Sequence, residues 1–132
     1  MSVQLPPLAK NLLDAGTFVT LTTLTADGSP HSTVMWADRE GDDIVFATLV
    51  GRVKERHIRR DPRVSVTAFD PDNQYSYVTV NGIATLEPEG GPELIQRLSH
   101  KYTGDRYAND EGTDNVRIVV RVTPERAYPS GH

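Results

Sequence analysis

Short runs rich in Thr, Val and Ile follow one another along the chain, each closed by a turn signal, and this repetition restricts the fold more than any other feature. "TFVTLTTLT" is β-branched and leads into Asp27-Gly28, a strong hairpin dipeptide. "HSTVMWA" supplies the return strand, "DREGDD" a second turn and "IVFATLV" a third strand. "RVSVTAF" alternates Val64, Val66 and Ala68, and "DPDN" turns the chain again. "YSYVTVNGIATLEP" is long and alternating, with Gly82 marking a bulge or bend, and "VRIVVRV" makes a final strand. Six strands joined mostly by short turns predict a mainly β fold: an antiparallel meander curled into a small barrel, because closure removes exposed edges.

Three helical segments interrupt the strands. "LPPLAKNLLDAG" places Leu8, Leu12 and Leu13 on one face and stops at Gly16. "GGPELIQRLSHKYTG" has Pro92 in its first turn and Gly104 at its end. The third, between the third and fourth strands, is a short basic helix that Asp61-Pro62 terminates.

This basic segment is out of keeping with the rest of the chain. The net charge is −4, yet Arg52, Lys54, Arg56, Arg59, Arg60 and Arg63 account for six of the 14 Lys and Arg residues. Only Glu55 and Asp61 oppose them. Several share a face through three- and four-residue spacings, and Gly51 stands at the strand-to-helix junction, where the backbone can approach a ligand. Lys and Arg beside helix N-terminal amides suit a phosphate; a solvated helix face is the other reading. There is no GxxxxGK[ST] loop.

Other function classes find little support. The acidic balance argues against general nucleic-acid binding. No run approaches the ~20 apolar residues of a membrane span, and "MSVQLPPLAK" lacks the pattern of a secretory signal, so a cytoplasmic protein is expected. With no cysteine, thiolate metal sites are excluded, and His31, His57, His100 and His132 lack ligand spacing, so no metal is expected. No G-x-S-x-G elbow is present, and Asp42-Asp43 falls in a turn. "VMW" at 34–36 reads as core or as a cofactor platform, and Tyr75 and Tyr77 share a strand face as an aromatic patch. The 132 residues, without repeat or long linker, predict one domain spanning 1–132.

The run "FATLVGRVKERHIRRDPRVSV" resembles the signature of the split β-barrel flavin and deazaflavin oxidoreductases, the superfamily that includes pyridoxamine 5′-phosphate oxidase. Its elements here are Thr48, Gly51, Arg52, Lys54 and the "DPRVS" of residues 61–65. "LTTLTADGSPHSTVMWAD" is similar to the family's first hairpin, and "YVTVNGIATL" to its long strand with a central Gly. The resemblance implies a six-stranded split barrel with about three short helices, assembled as a homodimer with two shared cofactor sites. It places Thr33, Val34, Met35 and Trp36 along the cofactor ring, Thr48 near the ribityl or phosphate region, and Arg52 and Lys54 on the phosphate. Tyr75 and Tyr77 approach from the partner subunit.

The C-terminal stretch, "VTPERAYPSGH", lacks the Trp and Arg residues with which pyridoxamine phosphate oxidases bind flavin and substrate. That departure and the run of arginines after Lys54 resemble the actinobacterial branch that uses coenzyme F420, a deazaflavin carrying a phosphate, a lactyl carboxylate and an oligoglutamate tail. Arg56, Arg59 and Arg60 are then candidates to meet the tail, or are present for solubility. The implied activity is an F420H2-dependent reductase that delivers hydride from ring carbon C5 to an activated double bond of a small organic molecule. The alternatives are an FMN-dependent oxidoreductase of the same fold and a non-catalytic cofactor- or haem-binding protein. No proton donor is assigned.

Overall fold

The elements come in the order α1 (Pro7–Asp14), β1 (Val19–Leu24), β2 (Pro30–Met35), β3 (Asp38–Glu40), β4 (Asp43–Leu49), α2 (Val53–Arg60), β5 (Arg63–Asp70), β6 (Asn73–Glu87), α3 (Gly91–Thr103) and β7 (Arg117–Pro129). They are seen in a computed structural model that describes residues 2–130. His132 lies outside the described residues. The strands form one antiparallel sheet in the order β2-β1-β5-β6-β7-β4-β3.

The mainly β class and the three helices agree with the sequence reading, but the sheet has seven strands rather than six. The additional strand is β3, three charged residues inside the segment read as a turn. Asp, Arg and Glu have little intrinsic strand preference. Ion pairs from other elements hold them extended: Arg39 to Asp14, Asp38 to Arg97 and Lys101, and Glu40 to Arg97 and Arg121. β7 also runs beyond the apolar stretch. Its Pro124 lies opposite Gly82, where the β6–β7 register shifts, so the missing N–H falls at the bulge anticipated there. A Cβ on Gly82 would sit 2.3 Å from the Thr123 carbonyl oxygen.

Turn chemistry fixes the first hairpin. The Asp27 carboxylate accepts from the hydroxyls of Thr25 and Ser29, at 2.5 and 2.6 Å, and from the Ser29 N–H. These bonds, the Ser29 hydroxyl foremost, lower its pKa to about 2. Gly28 supplies the positive φ of 87°.

The outer strands of the sheet are β2 and β3, and the chain itself spans the gap between them through Trp36 and Ala37. The C-terminal half of α3 ties this seam. The Tyr102 hydroxyl accepts from the Ala37 N–H at 3.1 Å and donates to the Thr17 carbonyl at 2.6 Å. The Lys101 ammonium donates to the carbonyls of Leu13 and Ala37 and pairs with Asp38. Inside the barrel, Leu21, Phe46, Val66, Val80 and Val120 pack with Leu13 of α1 and Ile58 of α2. A second apolar layer lies between Leu94, Ile95 and Leu98 of α3 and the outward side chains Val45, Ala47 and Val119 of β4 and β7.

Candidate functional site

Where β4 leaves the barrel, Gly51 takes a φ of 90° and turns the chain into α2. Glu55, one turn into that helix, reaches back and accepts the Gly51 N–H at 2.8 Å. It is almost fully buried and also pairs with Arg59. The Gly51 amide, ahead of Arg59, holds the Glu55 carboxyl below the ordinary glutamate range. The only carboxylate of α2 is therefore spent on fixing the helix entry. Arg52 and Lys54, on either side of that entry, have no carboxylate partner among the described residues.

Both cations line a cleft of about 320 Å³. Its other walls are Val34, Met35 and Trp36 from the end of β2, Ala47, Thr48 and Leu49 from β4, Ile95 and Leu98 from α3, and Phe18, Tyr107 and Arg117. The aromatic rings form a connected wall. Trp36 stacks on Tyr102 with centroids 5.5 Å apart and meets Tyr107 edge-on at 6.3 Å, while Phe18 lies 5.6 Å from Tyr102. The Gln96 side-chain amide donates to the Tyr107 carbonyl at 2.8 Å and accepts from the Tyr107 N–H at 3.0 Å, which anchors Tyr107 to α3. Burial, and then the charge of Arg52, lowers the Lys54 ammonium below the usual lysine range. An anion brought beside these two cations would offset both the burial of the lysine and its repulsion by Arg52.

Six of the eleven residues expected at a cofactor site meet in this cleft: Val34, Met35, Trp36, Thr48, Arg52 and Lys54. Gly51 stands outside the lining and positions Arg52. Arg56 is exposed on α2. Thr33 points to the barrel side of β2 opposite Leu21, and its buried hydroxyl has no hydrogen-bond partner among the described residues. Tyr75 and Tyr77, 76% and 41% exposed, lie on β6 away from the cleft, tied to Ser130 through their backbones. Arg63 belongs to β5 rather than to the basic helix face. It pairs with Asp61, whose carboxyl it holds at about 2.

The sequence reading missed Phe18, Tyr107, Arg117 and the α3 side chains. The available signals were slight: an arginine opening an apolar strand, and a lone tyrosine in a polar loop. Among the described residues no group of three or more His, Cys, Asp or Glu is placed to hold a metal ion. No helix among them is long and apolar enough to cross a membrane.

A sequence model of the pyridoxamine 5′-phosphate oxidase family matches residues 5–131. The chain belongs to that family. No curated protein matches its sequence. Among solved structures, an F420 reductase is similar to this oxidase-family chain at 27% identity, with a TM-score of 0.82 over 94% of this chain and 98% of that one. A conserved hypothetical protein of Mycobacterium tuberculosis is also 27% identical, with a TM-score of 0.76 over 99% of this chain and 87% of its own. General Stress Protein 26 of Bacillus anthracis, at 17% identity and a TM-score of 0.70 over 93% and 91% of the two chains, shares the fold. The chain thus has the split-barrel fold of flavin- and deazaflavin-binding oxidoreductases, as the sequence resemblance implied.

Proposed function

We propose that the protein is an F420H2-dependent reductase of small organic substrates carrying an activated double bond. The observation that carries this reading is the Arg52–Lys54 pair: two cations at one end of an aromatic-walled cleft, with no carboxylate partner among the described residues and with the lysine's charge disfavoured until an anion arrives. The likeness to an F420 reductase at 27% identity supports the deazaflavin over other cofactors of this fold.

The residues present suit such a group. Arg52 and Lys54 take its phosphate, Thr48 lies beside them, and Val34, Met35 and Trp36 offer an apolar and aromatic surface to its ring. Arg56 and Arg60, exposed further along α2, are free to meet carboxylates of the tail, whereas Arg59 is engaged by Glu55. When bound, the reduced deazaflavin supplies hydride from C5. The protein's part is to hold the anion, orient the ring and substrate against the wall formed by Trp36 and Tyr107, and exclude water.

The proposed assembly is a homodimer. Val34, Thr20, Thr67, Thr79 and Tyr128 lie in register across the outer face of five strands, and Phe69 pairs with Tyr77 beside them. Val34 and Tyr128 are 69% and 50% exposed, an apolar surface that a second copy would cover, bringing its Tyr75 and Tyr77 towards the first copy's cleft.

Fluorescence titration of the apo-protein with coenzyme F420 and with FMN, at low and high ionic strength, tests the cofactor. F420 should bind more tightly, and salt should weaken it more, because it brings more charges to the basic helix. A yellow preparation carrying stoichiometric FMN would reassign the protein to flavin chemistry. Single-turnover oxidation of F420H2 by an unsaturated carbonyl compound separates an enzyme from a carrier.

A further inference from the structure

We propose that Arg117 is a third cationic contact for the anionic side chain of the cofactor, and that Asp110 and Tyr107 present it. The role belongs to the cleft read as a cofactor site, whether a deazaflavin or a flavin fills it. Arg117 opens β7 directly opposite Leu49, and the Val50 N–H bonds the Val116 carbonyl at 2.9 Å, so it stands beside the strand end from which Arg52 and Lys54 emerge. It lines the same cleft.

Its side chain is held on several sides. Nε donates to Asp110 at 3.0 Å, and Nη2 donates to the other Asp110 oxygen at 2.9 Å and to the Tyr107 hydroxyl at 3.3 Å. The guanidinium carbon also lies 5.3 Å from the Tyr107 ring centroid. Only 10% of the side chain is exposed. These contacts use one edge of the guanidinium fork and leave Nη1 without a hydrogen-bond partner among the described residues.

A structural ion pair tying the loop before β7 to the strand would use the same fork. Two features favour the binding role. First, the cation comes to a cleft that already holds Arg52 and Lys54, where a third positive charge costs energy unless an anion is due. Second, Asp110, the only carboxylate paired with any of these three cations among the described residues, feels Arg117 first and Arg52 as well, and both lower its pKa. Asp110 therefore balances part of the local charge and leaves a net positive end. The three terminal oxygens of a phosphate can accept from Arg52, Lys54 and the Nη1 edge of Arg117 together, so the arrangement suits the phosphate-bearing side chain of either cofactor.

The test compares charged and neutral forms of each cofactor. Wild type and Arg117→Gln are titrated with coenzyme F420 and with the phosphate-free deazaflavin riboflavin analogue, and in parallel with FMN and riboflavin. Arg117→Gln should weaken the charged ligand by roughly tenfold or more and the neutral one by less than about twofold. If that variant does not fold, Arg117→Lys keeps the charge without the fork, and should show the same selectivity at reduced size. Equal weakening of charged and neutral ligands, or no weakening of either, overturns the role of Arg117. A wild-type preference for FMN overturns the deazaflavin reading alone, and the variant is then judged on FMN against riboflavin. A wild type that binds charged and neutral forms alike removes the anion site altogether.

Discussion

The Glu55 carboxylate accepts the Gly51 backbone N–H at 2.8 Å from inside a helix whose other charged side chains are all basic. The bond joins the one acidic residue of α2 to the glycine that turns the chain into it. Because the Glu55 side chain is 3% exposed, loss of its charge is poorly compensated by water. Glu55→Gln is expected to cost about 1.5–3 kcal/mol at neutral pH. The folded-state pKa is lowered, so this stabilisation is present above the ordinary glutamate value and fades as pH falls through the folded one. Urea midpoints of wild type and variant should therefore converge as the pH falls below the ordinary glutamate range. A gap that stays constant with pH would assign the effect to packing.

Lys54 should show the opposite balance between stability and binding. Its folded-state pKa is lowered, so the charged form is disfavoured at neutral pH and the penalty lifts as pH rises through the folded value towards 10.5. Lys54→Met is expected to raise Tm by about 2 °C at pH 7, with the advantage shrinking in alkaline buffer. The same substitution should weaken the anionic cofactor roughly ten- to hundredfold. Thermal scans and titrations on one preparation check both effects; a variant that binds normally would place the phosphate elsewhere.

Gly91 sets the distance between α3 and β7. A Cβ there would stand 1.9 Å from the Arg117 carbonyl oxygen, and backbone cannot swing aside as a side chain can. Gly91→Ala is expected to cost about 1–3 kcal/mol or more and to shift α3, which carries Ile95 and Leu98 of the cleft. The denaturant midpoint should fall and cofactor affinity with it. An unchanged midpoint would mean that the helix entry is looser than the contact implies.

Sedimentation at micromolar concentration should give twice the 14.6 kDa chain mass, with an interface above ~1,000 Å². Val34→Asp, on the outer face, should shift the population towards monomer and weaken cofactor binding as well. A monomeric wild type would leave Tyr75 and Tyr77 without a part in the site.

Much of this architecture was legible because local chemistry decides it. Asp27-Gly28 marked the first hairpin, Pro92 and Gly104 bounded α3, Gly82 marked the bulge, and Asp61-Pro62 ended the basic helix. What escaped depends on distant partners. β3 is extended because Asp14, Arg97, Lys101 and Arg121 reach it, and none of them is near in sequence. The cleft shows the same division. Its cationic end lies in one contiguous run, 48–54, and is visible as such in the sequence, whereas Arg117 and Tyr107 arrive only through the pairing of β7 with β4 and the anchoring of the loop by Gln96.

The seam closed by Tyr102 bears on the order in which the chain folds. The hydroxyl joins residues 65 and 85 positions away, and the neighbouring lysine reaches 88 positions back. The β1–β2 and β5–β6 hairpins span far shorter loops and meet at little entropic cost. Seam closure is therefore expected to follow the main folding barrier and to act afterwards as a latch. On that basis Tyr102→Phe should speed unfolding while leaving refolding nearly unchanged, moving one arm of the chevron and not the other. A slowed refolding arm would instead put the seam in the nucleus.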